Sequence, residues 1–590
     1  MSIVVQKFGG TSVADSGKIL AAARKAVLAR KEGHQVVMVV SAMGKNTDLL
    51  IKLAREIHDN PPAREMDMLL STGEQVSVAL MAMAIDSLGY QAVSMTGGQM
   101  GIVTDSSHTK ARIRSISTDR IKEALAEGKI VIAAGFQGVN ERSDITTLGR
   151  GGSDTTAVAL AAVLGAQRCE IYTDVDGVYT TDPWLLPEAR RVSRISYDEM
   201  LELASAGAGV MHNRSIEFAK KFSVPVHVRS SLTDSPGTMI GAEPESPGEP
   251  VCGVALTKSQ ARITLTGVPD RPGAALTLFS TIAARNVAMD MIVQNVGEEG
   301  RADISLTFAR EDLPSALGAV EEAAARLGAV AYTHDDDVSC LSIVGLGMAQ
   351  QAGVANKMFR ALAEAKINIL MITTSLIKTS VLVSRESGVE ALQHVHRVFA
   401  LEREPETPAE RSDEERTKTN NTAAILAKLQ SMEGLIVESI VLDESQSRVT
   451  LHAVPHTPGL AADVFDEIAD SGIVVDMIVQ SYSGAGTADM SFTCPREYYD
   501  KAIETAMRLS KRFDCAPPTS SPQIAQLAVY GIGLRSHTEV ASRMVESLGA
   551  AGINVEMINT SEVCVSVVVE ARQGVRGLAA LKEAFQDVMV

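Results

Sequence analysis

Lys7 stands at the end of an apolar run and just before a glycine pair, in Ile3-Val4-Val5-Gln6-Lys7-Phe8-Gly9-Gly10-Thr11-Ser12. Glycines let a ligand approach the backbone closely. The helical pattern that follows (Ile19, Ala22, Ala23, Ala26, Val27) directs its N-terminus to the same place, where anions are favoured. Lys7 adds a full positive charge. Together these outline a phosphate site, although the order of residues is not that of a Walker loop. An ordinary strand–turn–helix with a surface lysine has the same outline.

A second cation, Arg150, lies in Leu148-Gly149-Arg150-Gly151-Gly152-Ser153-Asp154. A guanidinium suits bidentate recognition of a carboxylate, and the neighbouring Gly-Gly-Ser turn suits an anion. Ser153 or Asp154 can cap the helix that follows. In Ser71-Thr72-Gly73-Glu74-Gln75, the spacing puts Thr72-Gly73 at a helix start and Glu74 in its first turn. There it either complements the helix dipole or receives an ammonium group. Tyr172–Trp184 carries Asp174, Asp176 and Asp182 among turn-forming glycine and proline. These acids hold Mg²⁺, nucleotide or a lysine, or serve only the turns. His212 and His227 are single histidines, and no Ser/His/Asp or Cys/His constellation stands out. The six cysteines are scattered without metal-ligand spacing. Reduced thiols and no protein metal cluster are expected.

The elements that must position these residues alternate strand and helix over 1–240. Val36–Val40, 93–95, Ile130–Ala134, 170–173 and 224–228 read as buried strands. Stretches 74–88, 118–127, 154–164 and 197–206 read as helices. This is an α/β pattern with a mostly parallel sheet covered on both faces, and such sheets bind ligands at the carboxyl ends of their strands.

The rest of the chain is duplicated. Arg262–Gln294 aligns with Arg448–Gln480 at a constant shift of 186 residues, and the same shift carries Ile367-Asn368 onto Ile553-Asn554. Each long repeat holds two shorter α+β units of ferredoxin-like type. Such units leave a sheet edge open and tend to pair with a copy of themselves. The expected limits are 1–240, 262–337, 339–402, 446–514 and 525–590, with a charged linker over 403–422.

With 590 residues the chain is long enough for several cores. Its net charge of −17 argues against nucleic acid or an anionic membrane as main partner. No run of about 18 apolar residues suggests a membrane span. A strand beginning at residue 3 leaves no room for a signal peptide, so a cytoplasmic location is expected.

Taken together, Lys7–Ser12, Ser41 in Val-Ser-Ala-Met-Gly, Ser71–Gln75, Phe136-Gln137-Gly138, Leu148–Asp154 and Thr173–Pro183 resemble, in order, the motifs of the aspartate kinase (aspartokinase) family of amino-acid kinases. The repeated units resemble ACT regulatory domains, four of them where two are usual. The resemblance implies an αβα kinase domain followed by four ACT units. It implies ATP- and Mg²⁺-dependent phosphorylation of the β-carboxylate of L-aspartate, the first step toward lysine, threonine and methionine, and often diaminopimelate. Lys7 and Asp182 are then the catalytic pair, with Asp182 orienting the lysine. Arg150 and Glu74 clamp aspartate, and Ser41 and Ser153 make further contacts. Lys7, Phe8, Gly9, Gly10, Thr173, Asp174, Tyr179 and Asp182 lie on the nucleotide side, with Arg229–Ser231 nearby.

For effectors such as lysine or threonine, the resemblance points to Asp270, Gly273, Ala274, Gln294 and Asn295 in the first unit, completed by Asn368 and Ile369 of its partner. In the second repeat it points to Gly459, Gln480, Ser481, Asn554 and Val555. There His456 replaces Asp270. A homodimer through the ACT units is expected. Two other readings stay open: a kinase acting on glutamate or acetylglutamate, and a non-catalytic amino-acid sensor. Lys7, Arg150 and Asp182 speak against the sensor, and the segments around Glu74 and Arg150 favour aspartate. A carboxylate nucleophile, with a pKa near 4, is ionised at neutral pH and needs no general base.

Overall fold

The computed structural model describes residues 1–285, 287–296, 300–405, 433–484, 486–534 and 539–589. Most of the expected linker therefore lies outside the described residues.

The first domain is built on an eight-stranded sheet. Its central strands, Ile3–Phe8, Gln35–Val40, Ile130–Ala134 and Arg168–Thr173, run parallel. Gln35–Val40 and Ile130–Ala134 are almost unbroken apolar runs because both faces are covered. Along Gln35–Val40, Val36, Met38 and Val40 pack under helices Ser16–Lys31 and Ala63–Ser87. Val37 and Val39 face the opposite layer, which contains Gly152–Leu164. The five strands read from the sequence are present within two residues of their expected limits.

One helix begins earlier than expected. Ala63–Ser87 is 25 residues long, so Glu74 sits in mid-helix and not in a first turn. Gly73 does not break it. A Cβ there would lie 2.8 Å from the Ala42 Cβ, so the missing side chain lets the helix approach the end of the second strand. This helix is long and apolar enough to cross a bilayer by length and composition, yet it buries Asp67 and Glu74 within the domain.

Four α+β units follow. Units one and two share two long strands, Gly253–Pro269 and Ala331–Val344. In the second repeat the corresponding strands are split, into Ile436–Asp443 and Gln446–Pro455, and into Ala516–Ser521 and Ile524–Ile532. Asp443 closes a turn on the Ser445 N–H at 2.7 Å, and Pro522, with no N–H to donate, interrupts the other pair. Unit four therefore has its own four-stranded sheet, while units one to three join in one of ten strands. The two sheets stack through Met291, Val293, Met371, Leu382, Met477, Met557 and Val568.

The pairing of units crosses the two repeats. Unit two's Met371–Thr374 bonds to unit three's Ile478–Gly484, with Ile372 opposite Gln480. Their helices meet through Phe359 and Phe465, ring centres 5.5 Å apart. Units one and four share a second core that includes Leu278, Phe279, Val545 and Leu548. The self-pairing expected between two copies is thus made inside one chain.

Candidate active site and effector sites

A cavity of about 1000 Å³ opens at the carboxyl ends of the parallel strands. Lys7, Gly10, Ser41, Glu74, Arg150 and Ser153 all line it, although they come from four separate stretches of sequence. Lys7 is the penultimate residue of the first strand, and its Nζ lies 2.5 Å from Asp154 Oδ1, with both side chains largely buried. Gly10 must be a glycine, because a Cβ would come within 2.8 Å of the Ala42 carbonyl oxygen. Gly151 has φ +68°, and any side chain there would run into His212. The glycine turn leaves Arg150 exposed at the cavity wall.

Glu74 is 3% exposed and accepts a hydrogen bond from the Ala42 N–H at 3.1 Å, while its Oε2 has no hydrogen-bond partner. Burial pushes its carboxyl from its ordinary 4.5 up to about 7, against the backbone N–H groups that favour the charged form. A raised pKa means that the folded state holds the proton more tightly than the unfolded chain. The stabilisation is complete below pH 4.5 and is lost as the pH rises through about 7. Glu74→Gln should therefore gain stability relative to wild type across that window. Denaturant midpoints that run parallel with pH would show an ordinary carboxyl.

Asp182 does not reach Lys7. It is exposed, and its carboxylate accepts a hydrogen bond from the Trp184 N–H at 2.9 Å, as a turn aspartate does. The carboxylate on the lysine belongs to Asp154, in the first turn of Gly152–Leu164. The sequence offered Asp154 only as a cap. Its chemical signal was a buried lysine's need for a counter-charge. If Asp154 positions Lys7, Asp154→Asn should lower kcat by up to about a hundredfold with little change in KM, the usual penalty for a misplaced reacting group. Asp182→Asn should be nearly neutral, and steady-state kinetics of the two variants decide between them.

Phe8, expected on the nucleotide side, has no exposed side chain. It is fully buried and stacked on Tyr172, ring centres 4.7 Å apart, so only its backbone is near the site. Of the other residues expected on the nucleotide side, Gly9, Thr173 and Asp174 are tied into one hydrogen-bonded segment with Ser12 and Ser231. The Gly9 N–H donates to the Tyr172 carbonyl at 3.3 Å, and the Ser231 N–H donates to the Thr173 carbonyl at 2.7 Å. Thr173 Oγ1 donates to Asp174 at 3.1 Å, and Ser12 Oγ donates to Ser231 at 2.9 Å. Tyr179 is half-buried and paired with Arg191 through the backbone.

The far wall of the cavity was not legible. Arg214 donates from Nε to Glu433 Oε2 at 3.0 Å, and the Ile113 N–H donates to Glu433 Oε1 at 3.0 Å. Glu433 arrives from beyond the linker, just ahead of Ile436–Asp443, a strand of the unit-four sheet.

Two small clefts contain most of the effector candidates, each of about 10 Å³ because their polar groups pair with one another. In the first, Asn554 Nδ2 donates to Asp270 Oδ1 at 2.7 Å and Gln294 Nε2 donates to the Val555 carbonyl at 2.7 Å, beside Gly273 and Ala274. In the second, His456 Nε2 meets the Ile369 carbonyl at 3.0 Å, and Gln480 Nε2 donates to the same oxygen at 3.4 Å, beside Asn368 and Gly459. Burial holds His456 below the ordinary histidine range, which favours its neutral form, although the hydrogen bond to the Ile369 carbonyl works the other way. Asn368 and Ile369 thus face unit three and not unit one, while Asn554 and Val555 face unit one. The residues of each cleft come from different long repeats, which correct the within-repeat pairing. Ser481 is buried on its strand, and the side chain of Asn295 lies outside the described residues.

The amino acid kinase family model matches residues 2–230, and ACT domain models match 262–325, 341–399, 452–508 and 527–585. Fold and site thus define an amino-acid kinase domain carrying four ACT domains. The aspartate kinase of Stutzerimonas stutzeri (strain A1501) is 48% identical over 404 residues, covering 68% of this chain and 98% of its own length. Aspartokinase 2 of Bacillus subtilis (strain 168) is 48% identical over 408 residues, 69% of this chain and 99% of its own. The crystal structure of aspartate kinase from Synechocystis superposes with a TM-score of 0.52 at 38% identity, covering 99% of this chain and 98% of that one. That of E. coli aspartokinase III in complex with aspartate and ADP gives a TM-score of 0.58 at 26% identity, covering 67% and 99%. The chain belongs to the aspartate kinase family.

Proposed function

We propose that this chain transfers the γ-phosphoryl group of ATP to the β-carboxylate of L-aspartate. The observation that carries this reading is a single cavity holding Lys7, Arg150 and the unpartnered Glu74 Oε2 at the strand ends. Aspartate has two carboxylates and one ammonium, and the cavity offers a partner for each. Arg150 takes the α-carboxylate, Glu74 takes the α-ammonium, and Ser41 and Ser153 lie beside them. The β-carboxylate, already ionised, attacks the phosphorus without a base. Its obstacle is the approach of two anions, so fixed positive charge and alignment carry the catalysis. Lys7 supplies that charge, and Asp154 holds it in place.

Among the described residues no group of three or more His, Cys, Asp or Glu side chains is placed to hold a metal ion. Mg²⁺ fits this site as a passenger on the nucleotide's phosphate oxygens, where it would neutralise charge. The setting is cytoplasmic amino-acid biosynthesis.

The test is ADP release with aspartate, glutamate or acetylglutamate as acceptor. Activity confined to aspartate is expected. Equal use of another acceptor, or no release with any, overturns the reading.

The two clefts act as effector sites of different preference. Asp270 offers a carboxylate to a second ammonium, and neutral His456 does so poorly, which assigns lysine to the first cleft and threonine to the second. Because the sites cross the repeats, Asp270→Ala and Asn554→Ala should weaken the same effector. His456→Ala and Asn368→Ala should weaken the other. Calorimetric titration with each amino acid reads this directly, and a grouping of Asp270 with Asn368 would defeat it. Where both effectors bias one closed state, their joint inhibition should exceed the product of the separate effects.

A further inference from the structure

Units two, three and four enclose another cavity, of about 280 Å³, whose lining shares no residue with the kinase cavity or with either effector cleft. Its wall carries the carboxylates of Asp443 and Asp476 and the amides of Gln446 and Gln526. No lysine, arginine or histidine is among the described residues that line it. Leu376, Val441 and Ala528 give it an apolar side. Burial, with the Asp443 charge added, holds the Asp476 carboxyl above its usual range, although a hydrogen bond from Gln526 works the other way. Gln446 is 8% exposed, and its Nε2 donates to Asp443 Oδ2 at 3.1 Å. Its Oε1 is buried with no hydrogen-bond partner, a state that native proteins rarely leave unanswered.

The internal duplication supplies the comparison. The 186-residue shift carries Asp476 back to Asp290 and Cys564, which lines this cavity, back to Lys378. Around Asp290 the corresponding space is only about 50 Å³, and Lys378 itself lines it, with Thr560 and Ser561. In the first half, then, a lysine of the chain lines the space that holds the duplicated aspartate. In the second half a thiol stands at that position, and the space is several times larger.

We propose that the cavity between units two, three and four binds a small organic ammonium ion on a short aliphatic chain, its charge meeting Asp443, Asp476 and the free oxygen of Gln446. A bare inorganic cation would leave most of the volume and the apolar side unfilled. The wall formed by Thr374–Leu376 leads within two residues to Lys378, whose Nζ lies 2.7 Å from Glu202 Oε2 on the kinase helix Tyr197–Ser205. Occupancy therefore bears on a contact between the regulatory units and the kinase domain. The proposal is independent of which acceptor the kinase uses.

Calorimetric titration of the full-length chain with cadaverine tests it. This diamine lacks the carboxylate that an effector amino acid offers. The wild type should bind, with equal affinity in sodium and potassium chloride of matched ionic strength. Asp476→Asn should weaken binding roughly tenfold or more, as loss of a charged partner does. Cys564→Lys, which supplies the internal ammonium, should abolish it. Thermal denaturation shows whether each variant folds, and cadaverine should raise the Tm of the wild type but not of Cys564→Lys. No binding by the wild type, undiminished binding by both folded cavity variants, or displacement by either inorganic cation alone overturns the proposal.

Discussion

Lys7→Ala should lower kcat by about a hundred- to a thousandfold, the range seen when a preorganised charge aimed at a transition state is removed. Lys7 lies on a strand end between the glycine turn and the cavity, and a Cβ added at Gly9 would be 3.6 Å from its Nζ. The substrate and the nucleotide are both anionic where they meet, and this ammonium stands at that boundary. The substitution also leaves Asp154 largely buried without its counter-charge, which costs stability. Lys7→Ala/Asp154→Asn removes that orphaned charge and should be as inactive as Lys7→Ala while regaining stability. Single-turnover kinetics, with circular dichroism to follow folding, separate the two effects. A folded Lys7→Ala enzyme with near-normal kcat would remove Lys7 from the mechanism.

Arg150→Ala should raise the KM for aspartate well over tenfold and leave the KM for ATP nearly unchanged. Losing a charge-assisted partner costs about 2–3 kcal/mol, which sets the size of the effect. The guanidinium is exposed on a glycine turn whose shape Gly151 fixes through its positive φ, so its removal should hardly affect folding. Arg150→Lys should recover only part of the loss, because a point charge cannot reproduce a bidentate fork. Equal rises in both KM values would make Arg150 a structural residue.

The sequence by itself determined the buried central strands of the kinase sheet. Val36–Val40 and Ile130–Ala134 are apolar throughout because both faces are buried, and that is a local property. It also placed Lys7, Glu74, Arg150 and Ser153 among residues able to do chemistry, since glycine turns and charge types are local as well, while Ser41 came only from the family resemblance. What it could not determine were the relations between distant segments. Asp154 rather than Asp182 stands on Lys7 because the helix Gly152–Leu164 packs across the first strand, and that direction is set by the sheet. Glu74 lies in mid-helix because Gly73 is packed against Ala42, so a glycine that locally reads as a break serves as a contact. The duplicated units carry the same pattern and could pair within or across repeats with equal local satisfaction. Tertiary structure alone decided for crossing. Units one and two are tied by shared strands, while Asp443 and Pro522 free unit four to turn its own sheet onto theirs and bring Asn554 to Asp270.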